Sequence, residues 1–472
     1  MSRPAALSGF PEYLPADRIV EQHVLDTVRR VFELHGFASV ETRAVEPLAQ
    51  MLRKGEIDKE VYVLRRLHAS ADEPDAGLGL HFDLTVPFAR YVVQNAGHLE
   101  FPFRRYQVQK VWRGERPQEG RYREFAQADI DVVGRDTLAA HHEVEVALVM
   151  AQVFRALPMP PAVILVNNRK LVEGFLLGLG ATDTAAGLRA LDKLDKVGAA
   201  RVGELLHTEA GLSAGAAQTC LALAAIRTAD TSFVAAVRAL GVEHPMLDAG
   251  LAELASVVSA AADRMPGAVV ADLRIARGLD YYTATVYETQ LIGYEDFGSI
   301  CSGGRYDALA SDGRTTYPGV GISLGVSRLM AVLLGRGLVR ATRSVPTCVL
   351  VAVADEAARA QSTAVADQLR ARGIPAEVAP SAAKFGKQIK HADRRGIPFV
   401  WFPDTDTDPG ADSERDREPD SELHSGRAAT GSVKDIRSGA QVPADPSTWN
   451  PPAADLHPRV ERIVPESEET PS

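Results

Sequence analysis

Residues 113–131 read RGERPQEGRYREFAQADID, and the second half of this run alternates two kinds of side chain. Arg121, Arg123, Phe125, Gln127, Asp129 and Asp131 fall at period 2, with Tyr122, Glu124, Ala126, Ala128, Ile130 and Val132 between them. Successive side chains of a strand point to opposite faces, so the pattern predicts a strand with one polar face and one that turns small and apolar. Such a strand suits an antiparallel sheet packed on one side only. A solvated edge face would carry the same alternation. The other reading is a floor that binds a polar ligand. Arginines meet phosphates bidentately, Phe125 offers a stacking surface, and Gln127 and Asp131 accept from an amino or ring N–H.

At 472 residues the chain is too long for one ordinary core, and about three domains are expected. Val20, Val24, Val28, Val31 and Phe32 recur at helical spacing, with Asp17 the expected N-cap and Gly36 the stop. Strand-like runs follow at 37–43, 79–84 and 106–112. From 158 to 267 the composition shifts to Ala, Leu and Gly with helical periodicity and almost no strand signal, which predicts a helical insertion. Strand character returns over 269–292, ahead of a glycine-rich segment and the helix-like VSRLMAVLLG. After Pro346, TCVLVAVA, IPAEVAP and IPFVWF alternate with two helical runs, as in an α/β domain with a largely parallel sheet. The expected division is 1–157, 158–267, 268–340 and 346–446, with the acidic loop 404–430 and the tail 447–472 disordered.

No secretory signal is expected from MSRPAALSGFPEYLP, and no run approaches the roughly 18 to 20 apolar residues that cross a bilayer. Cys220, Cys301 and Cys348 are scattered without C-x-x-C spacing, which disfavours a disulfide framework or structural zinc and suits the reducing cytosol. The net charge of −10 disguises an uneven distribution. Residues 404–422 hold nine acids against Arg415 and Arg417, whereas 104–124 hold seven bases against three acids. An acidic loop sets the total, and an RNA partner for the basic strip is not excluded.

Three further stretches bear on chemistry. In FDLTVPFAR, residues 82–90, an extended reading puts Asp83 and Thr85 on one face; an Asp–Thr turn before Pro87 is the alternative. In GVGISLGVSRLM, residues 319–330, no strand–turn–helix with a following acid supports a dinucleotide fingerprint, and glycines there equally permit close packing. Arg328, at an apolar helix start, requires an anion from a side chain or a phosphate. In RGLDYYTATVYE, residues 277–288, alternation puts Tyr281 and Tyr282 on opposite faces if both lie in the strand. Both reach one ligand only if Tyr281 still belongs to the turn. Cross-strand aromatic packing is the alternative for each. Arg277 before Gly278 has no packing rationale.

In this order the motifs resemble the histidyl-tRNA synthetase family of class II aminoacyl-tRNA synthetases, over about residues 8–445. WRGERPQEGRYREF is similar to motif 2, GVGISLGVSRLM to motif 3, and the helix from Asp17 with the strand up to Pro47 to motif 1. RGLDYYTATVYE and SGGRYDAL (302–309) resemble the two histidine-specific signatures. GSVKDIRSGAQV resembles the family's closing strand, which makes the acidic loop an insertion. The resemblance implies an α+β catalytic domain on an antiparallel class II sheet, a helical insertion and a C-terminal α/β anticodon-binding domain. It implies a cytoplasmic homodimer, without membrane attachment, that joins L-histidine to the 3′ end of tRNA(His) through histidyl-adenylate. ATP would be a substrate, Mg²⁺ would accompany it, and no dedicated protein ligands would hold a metal. By the same resemblance Arg113 and Arg277 would flank the α-phosphate as the catalytic pair. Arg121 would meet the outer phosphates, Phe125 would stack on adenine, and Arg328 would bind the γ-phosphate end. Asp83, Thr85 and Gln127 would hold the α-amino group of histidine. Asp131 and Tyr282 would address the imidazole nitrogens, with Tyr281 lining the pocket. Two rival readings keep the fold without turnover: a regulatory subunit of ATP phosphoribosyltransferase, and a tRNA-binding sensor module.

Overall fold

The computed structural model describes residues 5–52, 60–68, 77–276, 281–404 and 431–463. The chain divides into two compact units, residues 1–12 with 23–338 and residues 13–22 with 339–472.

In the first unit, nine strands form one sheet among the described residues. They are β1 (Ala38–Ser39), β2 (Phe103–Trp112), β3 (Glu124–Val133), β4 (Ala162–Asn168), β5 (Arg227–Thr228), β6 (Val269–Asp272), β7 (Thr285–Leu291), β8 (Cys301–Tyr306) and β9 (Gly319–Gly325). In space they run β1-β2-β3-β9-β8-β7-β4-β6-β5. From β2 to β4 every neighbour is antiparallel, while β1 with β2 and β4 with β6 are parallel. The expected antiparallel sheet is therefore the middle of a mixed one. Cross-strand register gives the sheet two distinct faces. Tyr106, Ile130, Ile322, Gly303 and Tyr287 stand opposite one another in one row. Helix α3 (His141–Ala156) packs on that side, and Tyr287 Oη donates to the Glu143 carbonyl at 2.7 Å. The neighbouring rows point the other way and are mostly polar or glycine: Arg105, Asp131, Gly321, Gly304 and Val286, then Gln107, Asp129, Ser323, Ser302 and Glu288.

Several expectations shift. Helix α1 (Pro15–Leu34) starts at a proline, so Asp17 sits in its first turn, where a negative charge meets the helix dipole, instead of capping it. Gly36 does end the segment, with φ of +75°. Strand β4 lies inside the span read as a helical insertion; its apolar run AVILV is continuous because both faces are buried, and the helices begin only at Arg169. FDLTVPFAR is no strand: α2 (Thr85–Asn95) begins within it, and Asp83 Oδ1 accepts from the Val86 N–H at 3.1 Å, so the Asp–Thr turn reading holds. Helix Pro245–Arg264 does reach the length of a short membrane span, with mean hydropathy 1.2. Its Leu247, Leu251, Leu254, Val257 and Val258 are buried within the unit, as in a core helix.

The second unit holds a sheet in the order Ala376–Val378, Val349–Val351, Phe399–Pro403, Gly431–Asp435 and Gln441–Ala444. Its first three strands are parallel, as βαβ connections require, and the last two join antiparallel, so it too is mixed. The acidic loop lies outside the described residues from 405 to 430. Of the tail expected to be disordered, residues 447–463 are ordered, and 464–472 lie outside the described residues. Val460–Arg462 pairs with Val339–Ala341, and Trp449 sets its ring edge-on to Phe399 and Trp401. Two arginines secure its path through carbonyls. Arg343 donates to the Asp455 and Leu456 oxygens at 2.7 and 2.9 Å, and Arg372 to those of Pro446 and Trp449 at 2.9 and 2.6 Å.

Candidate active site

The polar face of β3 carries the site, and its far end is a buried carboxylate cluster. Asp131 Oδ2 lies 2.6 Å from Arg105, and its Oδ1 accepts from Tyr306 Oη at 2.8 Å. Room for this arrangement comes from glycine. A Cβ on Gly321 would stand 2.1 Å from Asp131 Oδ1, and one on Gly319 would stand 2.4 Å from the Tyr306 ring. The GVG run therefore serves close packing of a carboxylate and a phenol, and no phosphate loop is built there. Gly304 plays the same part for Tyr282, whose ring would lie 2.7 Å from an added Cβ. Arg305 and Asp307, its neighbours in SGGRYDAL, are structural: Arg305 donates to Glu143 at 2.9 Å and to Asp307 at 3.0 Å, and Asp307 accepts from Thr283.

Tyr281 and Tyr282 precede β7, which begins only at Thr285, so strand alternation does not separate them. Their rings meet edge-on at 4.8 Å, and Tyr281 meets Tyr306 at 6.1 Å. The Tyr281 hydroxyl lies within hydrogen-bonding reach of Thr85, which joins this turn to the start of α2. Nearby on β3, Gln127 donates from Nε2 to Ser323 Oγ at 3.0 Å, while its buried Oε1 has no partner among the described residues. An acceptor left open in this way calls for a donor from a ligand. Asp83, Thr85, Gln127, Asp131, Tyr281 and Tyr282 are thus all set around one end of the sheet's polar face.

The near end of β3 is basic. Arg113, just past β2, donates from Nε to the Phe82 carbonyl at 3.0 Å and holds its guanidinium 5.2 Å from the centre of the half-buried Phe125 ring. Arg121 faces Glu115 at 3.4 Å. Arg328, in the first turn of α4 (Val326–Gly335), donates to the Phe297 carbonyl at 2.5 Å and lies 5.0 Å from that ring's centre. Its buried Nε has no partner among the described residues. Burial first, and the Arg121 charge next, press its pKa below the ordinary guanidinium value. Such a group is served by an anion. Arg277 lies outside the described residues.

Burial dominates the electrostatics of the acidic end. It raises Asp131 from 3.8 to about 6 and Asp129 from 3.8 to about 7, against the opposing pull of Arg105. The same burial, with the neighbouring carboxylates, pushes the Tyr282 phenol up. A raised carboxylate pKa means that the folded state holds a proton the unfolded chain has lost. The contribution of Asp129 to stability is therefore greatest below about pH 4 and falls as pH rises towards 7. Asp129→Asn removes that dependence while keeping an acceptor for Ser323. Its melting temperature relative to the parent should climb from pH 4 to pH 7 and then level off. A constant difference across this range would mean that Asp129 is ionised throughout.

Sequence reasoning overlooked Arg105 and Tyr306 as site residues. Arg105 was visible only as one of seven bases in a strip, and Tyr306 only as a letter in SGGRYDAL. Both act through partners distant in sequence, Tyr306 across 175 residues. Among the described residues no group of three or more His, Cys, Asp or Glu side chains is arranged to hold a metal ion.

Comparison with known proteins assigns a family to this geometry. Residues 9–329 match the family model described as histidyl-tRNA synthetase, and 347–409 match that of an anticodon binding domain. A histidine–tRNA ligase of Micrococcus luteus is 60% identical, covering 98% of this chain and 99% of the relative. One from Cutibacterium acnes is 58% identical with the same coverage. The crystal structure of histidyl-tRNA synthetase from Nostoc sp. PCC 7120 superposes with a TM-score of 0.79 at 33% identity, over 94% of this chain and 97% of the other.

Proposed function

Because the chain belongs to the histidyl-tRNA synthetase family, we propose that one face of its central sheet binds histidine at the acidic end and ATP at the basic end. The enzyme activates L-histidine with ATP to histidyl-adenylate and transfers histidine to the 3′ end of tRNA(His). The observation that carries the site reading is the change of polarity along β3. Asp131, Asp129 and the open Gln127 acceptor lie towards one end, and Phe125 towards the other, with Arg113, Arg121 and Arg328 beside it. An amino acid bears an ammonium and a polyphosphate bears negative charge, so the two substrates sort themselves along the strand.

We assign Asp83, Thr85 and Gln127 to the α-amino group of histidine, and Tyr281, Tyr282 and Asp131 to the pocket around its ring. The carboxylate that attacks the α-phosphorus is already anionic at neutral pH, so no side chain has to deprotonate it. What the step requires is in-line placement and stabilisation of charge developing on phosphorus. Arg113 and Arg277 take that role, Phe125 stacks on adenine, Arg121 meets the outer phosphates and Arg328 the γ-phosphate end. Mg²⁺, if it accompanies ATP, would supply positive charge to the pyrophosphate leaving group. Glu115 and Glu288, whose charges reach Arg328, are the carboxylates of this chain that would meet it, through water or directly. A buried acceptor and phenols facing the ring favour imidazole, since an apolar ring would leave them unpaired.

We further propose that 1–157 and 268–340 together with β4 form the catalytic domain, that the helices beyond β4 to residue 267 form the insertion, and that 346–446 bind the anticodon. The active form is a cytoplasmic homodimer without membrane attachment. Histidine-dependent exchange of pyrophosphate into ATP tests the reaction. The purified chain should exchange with histidine and not with other amino acids. No exchange would leave the non-catalytic readings, a phosphoribosyltransferase regulatory subunit or an RNA sensor, in its place.

A further inference from the structure

The second unit has a cavity of its own, about 410 Å³ in volume. Four arginines line it, Arg340, Arg343, Arg437 and Arg459, against two carboxylates, Asp455 and Glu461. Strand pairing brings them together. Val339–Ala341 runs antiparallel to Val460–Arg462, which sets Arg340 directly opposite Glu461. One residue beyond that strand, the Thr342 N–H donates to the Arg459 carbonyl at 2.9 Å, and Thr342 Oγ1 accepts from the Arg459 N–H at 3.0 Å.

The positive charge here is only partly answered. Arg437 is matched, since it donates to Asp435 at 3.0 and 2.9 Å and to Asp455 at 2.8 and 2.9 Å. That leaves Glu461 for the other three. Arg340 and Arg459 approach it at 3.5 and 3.6 Å, well beyond the roughly 2.7–2.9 Å of a close charge-assisted bond. Arg343 is buried, and its guanidinium donates to the carbonyls of Val345, Pro346, Asp455 and Leu456 at 3.1, 3.1, 2.7 and 2.9 Å. Carbonyls satisfy its donors without cancelling its charge. Burial lowers its pKa, with Cys348 and Asp455 resisting and the Arg437 and Arg459 charges adding to the fall. The three arginines also differ in depth. Arg343 is 5% exposed, whereas the side chains of Arg340 and Arg459 are 69% and 53% exposed. The cavity therefore has a cationic floor and a cationic rim.

We propose that this cavity binds a small phosphate-bearing anion, as a free phosphate, a pyrophosphate or a terminal phosphate group. The proposal is independent of how the sheet face in the first unit is read. A tetrahedral phosphate offers oxygens in several directions and can answer arginines on different walls at once, whereas a carboxylate has two oxygens in one plane. An RNA backbone fits less well. Each internal phosphodiester carries one charge between two riboses, and a longer polyanion meets Glu461 at the rim. Because Arg340 and Arg459 come from the strand and from the tail, a bound anion would also tie the tail to the rest of the unit.

Calorimetric titration of the full chain with pyrophosphate and with inorganic phosphate tests this, at constant ionic strength and with acetate as the control anion. The parent is compared with Arg340→Ala/Arg459→Ala. Both changed side chains are exposed and belong to the second unit, so binding of phosphates in the first unit is common to the two proteins. The double variant should bind at the cavity roughly three- to thirtyfold more weakly, as expected for two exposed charge contacts. Pyrophosphate should also raise the melting temperature of the parent more than that of the variant. Glu461→Gln withdraws the rim carboxylate and should bind pyrophosphate about two- to fivefold more tightly. It carries the test should the double variant not fold. Equal pyrophosphate affinity in parent and variants would leave the arginines as a clasp for the tail and overturn the site. An acetate response equal to that of phosphate would do the same. So would a double variant that loses affinity only for an oligoribonucleotide without a terminal phosphate.

Discussion

Arg113→Ala should slow histidine-dependent ATP–pyrophosphate exchange by about a hundredfold or more, through kcat, while the dissociation constant for histidine stays within about threefold. The reason is how the side chain is held. The Arg113 backbone N–H donates to the Arg123 carbonyl at 2.9 Å, and its Nε to the Phe82 carbonyl at 3.0 Å. The guanidinium is thus fixed at its root beside the Phe125 ring before any substrate arrives. A donor set in advance costs no reorganisation as charge develops on phosphorus, and that is where electrostatic catalysis is strongest. Arg113→Lys should recover little, because a lysine ammonium has no Nε to anchor and one point of charge instead of a planar fork. The readout is steady-state exchange with histidine and ATP varied separately. A raised KM for histidine with unchanged kcat would remove Arg113 from the phosphate and return it to binding.

The second large effect should appear in stability. Gly321→Ala puts a methyl where the Asp131 carboxylate sits, 2.1 Å from Oδ1 and 2.7 Å from the Ile130 carbonyl. Neither can retreat easily: Ile130 is in the adjoining strand, and Asp131 is tied to Arg105 and Tyr306. Displacing the carboxylate leaves a buried guanidinium unpaired, a loss of about 3–5 kcal/mol. Denaturant unfolding should show it as a lower midpoint, together with loss of histidine binding. Gly215→Ala is the matching control. This glycine is in helix Ala214–Ala224 with nothing within 4 Å of an added Cβ, so alanine there should be neutral or stabilise by up to about 1 kcal/mol. A Gly321→Ala protein that unfolds with the parent would mean that the row is not so crowded.

How much of this could be read from the sequence depends on the range of the interactions. The polar face of β3 was legible from Phe125 to Asp131 because period 2 is a local property, and the burial of Ala128, Ile130 and Val132 between the polar positions follows from it; Arg121 and Arg123, read as part of the same strand, precede its start at Glu124. The helix stripe Val20–Val24–Val28–Val31–Phe32 was legible for the same reason. Alternation misled only where no strand exists. Asp83 and Thr85 straddle a helix start, and Tyr281 and Tyr282 belong to a turn stitched down by the bond from Thr283 to Asp307. The meaning of Gly319 and Gly321 was open between a phosphate loop and packing because the groups they accommodate, Tyr306 and Asp131, come from other strands. Register decides such pairs, and register is set by the whole sheet. The pairing of Arg105 with Asp131 was hidden for that reason, although both residues were in plain view.

The tail from residue 447 was read as disordered, yet its course to residue 456 is fixed. What Arg343 and Arg372 grip there is almost entirely main chain, the oxygens of Pro446, Thr448, Trp449, Asp455 and Leu456. A carbonyl is supplied by every amino acid, so this clasp records the route of the chain and is blind to most of its letters. Homologous tails could diverge widely in sequence and still follow this course, provided the two arginines stayed. The information that orders this stretch at Asp455 and Leu456 is written about a hundred residues upstream of it at Arg343, across separations of 112 and 113 residues.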